Sequence, residues 1–301
     1  MKNDFPASLW SNDRFEVPEL LVDALWAALN KHDLLKMAQL EEVPKVCGGA
    51  SEKDTNEYFA KLCAVSSVRP MSVLLDPHKS HILPNQILRE CVHQGKLALI
   101  DFPCGCGTTT LGLLSVVEQM RRDGHWIAFD LEIEVLALDI SPYALQRFQE
   151  LIDTCTRKFN KQLIKIRLTT EVVDVGEKNS VSTVINDWVS SVENDVDYIL
   201  VMASAFSGYA SQSNNKEVVA DSFDFIKNRL CTRRDQSRFL VWLEINSNSA
   251  KKFFKYLSKA LKFHSPTNSS DYKFMNPFQK AERRCNLQSG CVEISRPSRT
   301  K

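Results

Sequence analysis

Hydrophobic positions recur at helical spacing through the first ninety residues. Leu21, Leu25, Ala28 and Leu29 mark one apolar face behind Pro18, which suits a first helical turn, so a helix is predicted there. A second is predicted from His32 to Leu40 and a third from Thr55 to Val65, with Cys47, Gly48 and Gly49 as the break between them. Arg69 to Pro84 carries three prolines and reads as an extended connector, followed by a helix from Asn85 to His93.

From Leu97 onward the pattern changes to short, nearly continuous apolar runs separated by helical stretches, as expected of a parallel sheet covered on both faces. The strands predicted are Leu97–Phe102, Glu134–Ile140, Ile164–Val173, Val196–Ala203, Phe239–Ile245 and Cys291–Ile294. Helices are predicted at Thr109–Arg122, Tyr143–Phe159, Val181–Val192, Lys216–Leu230 and Ala250–Leu261, and His264–Asp271 reads as a linker. The expected fold class is therefore α/β, a doubly wound and mostly parallel sheet with an N-terminal helical segment. The division expected is residues 1–94 for that segment and 95–301 for the Rossmann-like domain.

Glycine placement sharpens this picture. The chain has only ten glycines in 301 residues, yet Gly105, Gly107 and Gly112 fall within eight positions. A strand ends at Asp101-Phe102, the chain turns through Pro103-Cys104-Gly105-Cys106-Gly107, and a helix follows from Thr108 or Thr109. Small residues in such a turn let the backbone approach a ligand closely, and the N–H groups at the helix start meet polar or anionic groups. The dinucleotide signature G-x-G-x-x-G requires a third glycine where Thr110 stands, which disfavours a plain NAD site.

The segment Asp101-Phe102-Pro103-Cys104-Gly105-Cys106-Gly107-Thr108 resembles motif I of the class I S-adenosylmethionine-dependent methyltransferases. VLALDISPYALQRF, Val135 to Phe148, resembles that family's motif II. The resemblance implies S-adenosylmethionine as cofactor, with Asp139 accepting hydrogen bonds from the ribose hydroxyls and Ile140 lying against the adenine. It further implies that Asp174 and Val175 contact the adenine edge, and that Ala203 to Phe206 face cofactor and acceptor. The chain departs from the family in having Pro103 in place of a small glycine. A separation of 38 residues between Asp101 and Asp139 also implies extra turns around His125–Ile133. The cofactor-binding set is accordingly Asp101, Cys104, Gly105, Cys106, Gly107, Thr108, Asp139, Ile140, Asp174, Val175 and Ala203.

Methyl transfer is an in-line displacement, so alignment matters more than any one catalytic group. After the fourth strand the chain reads Ala203-Ser204-Ala205-Phe206, without the proline pair of adenine amino-group methyltransferases and without a Pro-Cys nucleophile. Ser204, Phe206 and Glu244 are the acceptor-side candidates, Glu244 as a base or orienting group at the end of the fifth strand. The acceptor stays open among RNA, DNA, protein and small molecules. A non-catalytic protein of the same fold, sensing the cofactor or binding a partner, is the alternative.

Charge and cysteine usage exclude little more. With 38 basic and 37 acidic residues the chain has no overall bias toward nucleic acid or membrane. Locally, residues 1–95 carry 10 basic against 13 acidic groups and residues 273–301 carry 7 against 2, so a nucleic acid could meet the basic tail and a protein partner the helical segment. No uncharged apolar run approaches the roughly 18 residues of a membrane span, and nine scattered cysteines argue against a disulfide framework. A soluble protein of the reducing cytoplasm is the expectation. His78 and His81 have metal-compatible spacing but no partnering cysteines, Cys285 and Cys291 read as hairpin residues, and the five tryptophans read mostly as core, so no metal site is expected.

Overall fold

A computed structural model of the protein describes residues 5–40, 49–210, 215–231, 236–260 and 268–295. Its frame is a nine-stranded mixed sheet in the order β1-β2-β8-β9-β7-β6-β3-β4-β5. The five strands around the centre are parallel: β3 (Gly95–Asp101), β4 (Leu131–Asp139), β5 (Ile164–Val172), β6 (Tyr198–Ser204) and β7 (Ser237–Ile245). On one side the sheet continues through β9 (Ala281–Ser295), antiparallel to both β7 and β8 (Asn268–Asn276). The short strands β1 (Trp10–Ser11) and β2 (Arg14–Phe15) pair with each other, and β2 runs parallel beside β8.

Alternation within each central strand explains the unbroken apolar runs. Leu97 and Leu99 of β3 join one hydrophobic cluster while Ala98 and Ile100 join another on the opposite face. The same division holds for Val135 and Ala137 against Leu136 and Leu138 in β4. Both faces are buried, so neither set of positions needs to be polar.

Helices α5 (Thr108–Arg122) and α6 (Pro142–Lys161) cover the first face. Over them, or over the β8–β9 side of that face, lie α1 (Glu19–Lys31), α2 (Leu35–Ala38), α3 (Glu52–Leu75) and α4 (Ile82–His93). The second face is covered by α7 (Lys178–Val192), α9 (Lys216–Leu230) and α10 (Asn248–Ala260), with the single turn α8 (Ser207–Ala210) packed against α10.

Several expectations are corrected. Arg69 to Leu75 is not an extended connector, because α3 runs through Pro70 to Leu75, where Asp76 adopts a left-handed cap at φ 42°. Proline removes one helical hydrogen bond, but residues 66–75 are all buried against α5 and the β8–β9 strands, and that burial outweighs the loss. Ser67 and Ser72 also donate to the carbonyls of Ala64 and Arg69 inside the same helix. Asn268–Asp271 belongs to strand β8, not to a linker, and the last strand begins at Ala281, ten residues before the position predicted. Cys285 and Cys291 both lie buried in β9, Cys285 opposite Tyr272 in the β8–β9 hairpin, as expected, and Cys291 opposite Val241 of β7. The helix predicted over 32–40 is confined to Leu35–Ala38, and Trp26 is exposed where a core position was expected. Cys47, Gly48, Leu261 and the tail beyond Ser295 lie outside the described residues.

His78 and His81 serve the junction between helices and sheet. His81 is fully buried, with Nδ1 2.6 Å from Ser289 Oγ and Nε2 2.6 Å from Ser270 Oγ, and burial lowers its pKa. Asp76 accepts the N–H groups of Ser80 and His81 and the Tyr272 hydroxyl, while His78 pairs with Asp13. Among the described residues no group of three or more histidines, cysteines or carboxylates is placed to hold a metal ion.

Candidate functional site

Strand order reverses between β3 and β6, since the chain leaves β3 toward β4 and β5 on one side and returns to β6 and β7 on the other. Ligands of open parallel sheets bind beyond the carboxyl ends of the strands at such a switch. A cavity of about 560 Å³ opens at that place, lined by the segments that follow β3, β4, β5, β6 and β7 and by α3.

The loop after β3 builds one wall. Gly105 at φ +54° and Gly107 at φ +70° take the left-handed backbone that favours glycine. They serve different ends. Gly105 faces the cavity, whereas a Cβ on Gly107 would stand 2.0 Å from the Phe148 ring of α6, so that glycine permits helix packing. The Phe102–Pro103 bond is cis, Cys104 N–H donates to the Leu138 carbonyl at 2.9 Å, and Thr108 and Thr109 open α5 at the cavity edge.

Asp139 closes the next wall at the end of β4. Its Oδ2 accepts Gly105 N–H at 2.8 Å and its Oδ1 accepts Ser141 N–H at 2.9 Å, tying the glycine loop to the start of α6. Burial raises its pKa against those stabilising N–H groups. A carboxylate offers about four acceptor directions, so both oxygens can still receive hydroxyl donors. Ile140 beside it is 44% exposed and presents an apolar surface to the cavity. After β5, Asp174 accepts Gly176 N–H at 2.8 Å and the Tyr209 hydroxyl at 3.1 Å, with Val175 buried next to it.

The opposite end is formed by β6, β7 and α3. Ser204 ends β6 and its Oγ accepts from Thr109 Oγ1 at 3.1 Å. Glu244, 1% exposed, accepts Phe206 N–H through Oε1 at 2.7 Å, and both residues line the cavity. Tyr58 and Ser66 of α3 complete this end, and Thr55 of α3 reaches Ser141 Oγ at 2.7 Å. The Tyr58 hydroxyl bonds with Ser66, and burial pushes its pKa up.

The cavity therefore gathers Cys104, Gly105, Cys106, Thr108, Asp139, Ile140, Asp174, Val175, Ser204, Phe206 and Glu244 from the expected set. Three others stand behind its wall. Asp101 is fully buried, its Oδ2 accepting from Thr110 Oγ1 at 2.6 Å and its Oδ1 without a partner. Gly107 packs on Phe148, and Ala203 faces the second hydrophobic cluster because side chains alternate along β6. The Phe206 ring is mostly a core group, 5.6 Å from Phe223 and 5.4 Å from Phe253. Tyr58, Thr55 and Ser66 were missed, since a hydroxyl in a helix 40 to 50 residues before the glycine loop carries no local sign of facing it.

The lining also has a distinct charge. Among the described residues it includes three carboxylates, Asp139, Asp174 and Glu244, and no lysine, arginine or histidine.

No protein-family model and no curated protein matches the sequence. Among solved structures the chain is similar to a SAM-dependent O-methyltransferase from Thermotoga maritima, with 12% identity, 74% of this chain and 67% of that one covered, and a TM-score of 0.35. It is also similar to a putative S-adenosyl-L-methionine-dependent methyltransferase from Methanococcus maripaludis, with 13% identity, coverage of 86% and 98%, and a TM-score of 0.35. A precorrin-6y C5,15-methyltransferase from Geobacter metallireducens gives 8% identity, coverage of 68% and 83%, and a TM-score of 0.35. Likeness at this level carries no inference about activity, and the class that the fold itself defines is a doubly wound α/β protein with a cavity at its topological switch point.

Proposed function

We propose that the protein binds S-adenosylmethionine in the switch-point cavity and transfers its methyl group to an acceptor held between Glu244, Tyr58 and Ser66. The observation that carries this reading is the composition of the cavity wall, which sets a glycine loop and a strand-end carboxylate beside two further carboxylates with no basic side chain among the described lining residues. A dinucleotide would bring a pyrophosphate dianion into that wall, where like charges disfavour it. A sulfonium with an amino group suits it.

The residues divide by role. Asp139 would hold the ribose hydroxyls and Ile140 the adenine face, with Val175 and Asp174 at the adenine edge. Gly105, Cys106, Thr108 and the start of α5 would meet the carboxylate of the methionine portion, since helix N-termini favour anions. Bound there, the cofactor supplies an electrophilic methyl group on a positively charged sulfur. Glu244, fixed by Phe206 N–H, can accept an N–H or O–H of the acceptor and so aim its lone pair, and Tyr58 can receive or donate the second hydrogen bond.

Titration calorimetry with S-adenosylmethionine, S-adenosylhomocysteine and NAD tests the assignment. Heat with either sulfur ligand and none with NAD is expected, and heat with NAD alone would overturn it. Ligand binding without methyl transfer to any acceptor pool would point instead to a sensor.

A further inference from the structure

Helix α10 follows β7 directly, and Ser247 and Ser249 at its start line the cavity mouth. Its sequence, NSAKKFFKYLSKA, has four lysines and no acid. Ala250, Phe253, Phe254 and Leu257 are buried in the second hydrophobic cluster, while Lys251, Lys252, Lys255 and Lys259 are exposed. Lys251, Lys255 and Lys259 are spaced four apart, so they form a stripe about 12 Å long at 1.5 Å per residue.

The stripe is set apart by its density, since other exposed lysines without an ion pair among the described residues, such as Lys53, Lys161, Lys178 and Lys280, are scattered along the chain. Lys31, Lys158, Lys165 and Lys273 are each paired with a carboxylate, and Arg284 of the basic C-terminal stretch is paired with Asp271. None of the four α10 lysines has an ion pair among the described residues, although the neighbouring α9 carries Glu217 and Asp221 at exposed positions. Lys216 of α9 adds a further cation over the Tyr256 ring of α10, 4.1 Å from its centroid. Four unpaired positive charges on one helix are conspicuous in a chain whose net charge is +1.

We propose that α10 is a docking surface for the sugar-phosphate backbone of a single-stranded nucleic acid. The charges are complementary in both places: phosphates meet the lysines outside, and the carboxylate-lined cavity admits only the uncharged base. An unpaired base is required because a stacked one cannot reach into a cavity. An anionic membrane fits less well, since the apolar face of α10 is committed to the core and offers nothing for insertion. That the base entering the cavity is the methyl acceptor rests on the methyltransferase reading; the binding of the strand does not.

Fluorescence anisotropy on the full chain with a labelled mixed-sequence single strand of about 20 nucleotides tests this. Binding should weaken with salt at a log–log slope of about −3, the value for four phosphates neutralised on a single strand. Lys251→Ala, Lys252→Ala, Lys255→Ala and Lys259→Ala combined should lower affinity at least about tenfold and flatten the slope, and the fourfold Lys→Arg variant should restore both. The same fourfold Ala variant should bind S-adenosylmethionine as the parent does, which shows that its fold and cavity are intact. Unchanged strand affinity in that variant, no strand binding by the parent, or equal competition by polyglutamate or by phosphatidylserine vesicles would overturn the proposal. Strand binding lost with the lysines while no sulfur ligand binds the parent would keep the surface and remove the methyltransferase reading.

Discussion

Asp101→Asn should change how stability depends on pH. Asp101 ends β3 fully buried, with Thr110 donating to Oδ2 and nothing bonded to Oδ1. Burial pushes its pKa from 3.8 to about 7, Asp139 nearby adding to the rise and Thr110 opposing it. Between those values the folded protein keeps a proton that the unfolded chain has released, so stability falls as pH rises from about 4 to about 7. At about 1.36 kcal/mol per unit, the full difference is about 4 kcal/mol, of which about 3 kcal/mol falls between pH of roughly 5 and 8. Asparagine keeps the acceptor for Thr110 but places an amide group at the orphaned position, a cost of about 1–3 kcal/mol that does not vary with pH. The informative quantity is therefore the stability difference between variant and parent at each pH. Urea denaturation at four values from about pH 5 to about pH 8 should show that difference moving in favour of Asn by about 3 kcal/mol. A constant difference would mean that the carboxyl is ionised in the fold throughout, and the reasoning from burial would fail.

Asp139→Asn should weaken S-adenosylmethionine binding by about 1.5–3 kcal/mol, the scale for hydrogen bonds to a charged group, and calorimetry giving unchanged affinity would place the ribose elsewhere. Tyr58→Phe removes one hydroxyl at the proposed acceptor end, so cofactor affinity should hold within about twofold while kcat with an active acceptor falls about a hundredfold or more, the low end of general acid–base effects; equal kcat would leave Tyr58 as wall only. Phe206→Ala should cost about 3–5 kcal/mol of stability by denaturant titration, because the ring packs on Phe223 and Phe253. A loss below about 1 kcal/mol would place the ring outside the core.

The sheet was legible because five central strands are buried on both faces, and such strands spell continuous apolar runs whatever surrounds them. The glycine loop was legible for a different reason: its left-handed backbone at Gly105 and Gly107 leaves a trace in composition. What escaped is tertiary. Pro70 reads as a helix breaker, yet α3 passes through it because residues 66–75 are all buried. Asn268 to Asp271 is polar because β8 there has one face in solvent, so it resembled a linker until its partner β9 was in place. At the site, strand-end positions pointed to Asp139, Ser204 and Glu244, all of which line the cavity, but alternation of side chains sent Ala203 into the core and only the three-dimensional packing of α3 brought Tyr58 and Ser66 there.

Charge in the cavity bears on what it can hold. Burying Asp139 disfavours its ionised form, and Gly105 and Ser141 N–H groups offset that only in part. Glu244 lies deeper still, at 1% exposure, and Asp174 shares the wall. A cation entering a wall of carboxylates with no described basic lining residue is attracted more strongly than it would be in water, because the surroundings are less polarisable. The three carboxylates disfavour phosphate beside them, whereas the buried Arg69, whose charge reaches Tyr58, and the buried Arg147, whose charge reaches Cys106, act in the opposite sense on the other side of the cavity. On the proposed reading, adenosine-based ligands would be sorted by what they carry on the ribose 5′ side, a sulfonium being retained and a pyrophosphate disfavoured, and a strand docked on the lysines of α10 would offer this cavity only its bases.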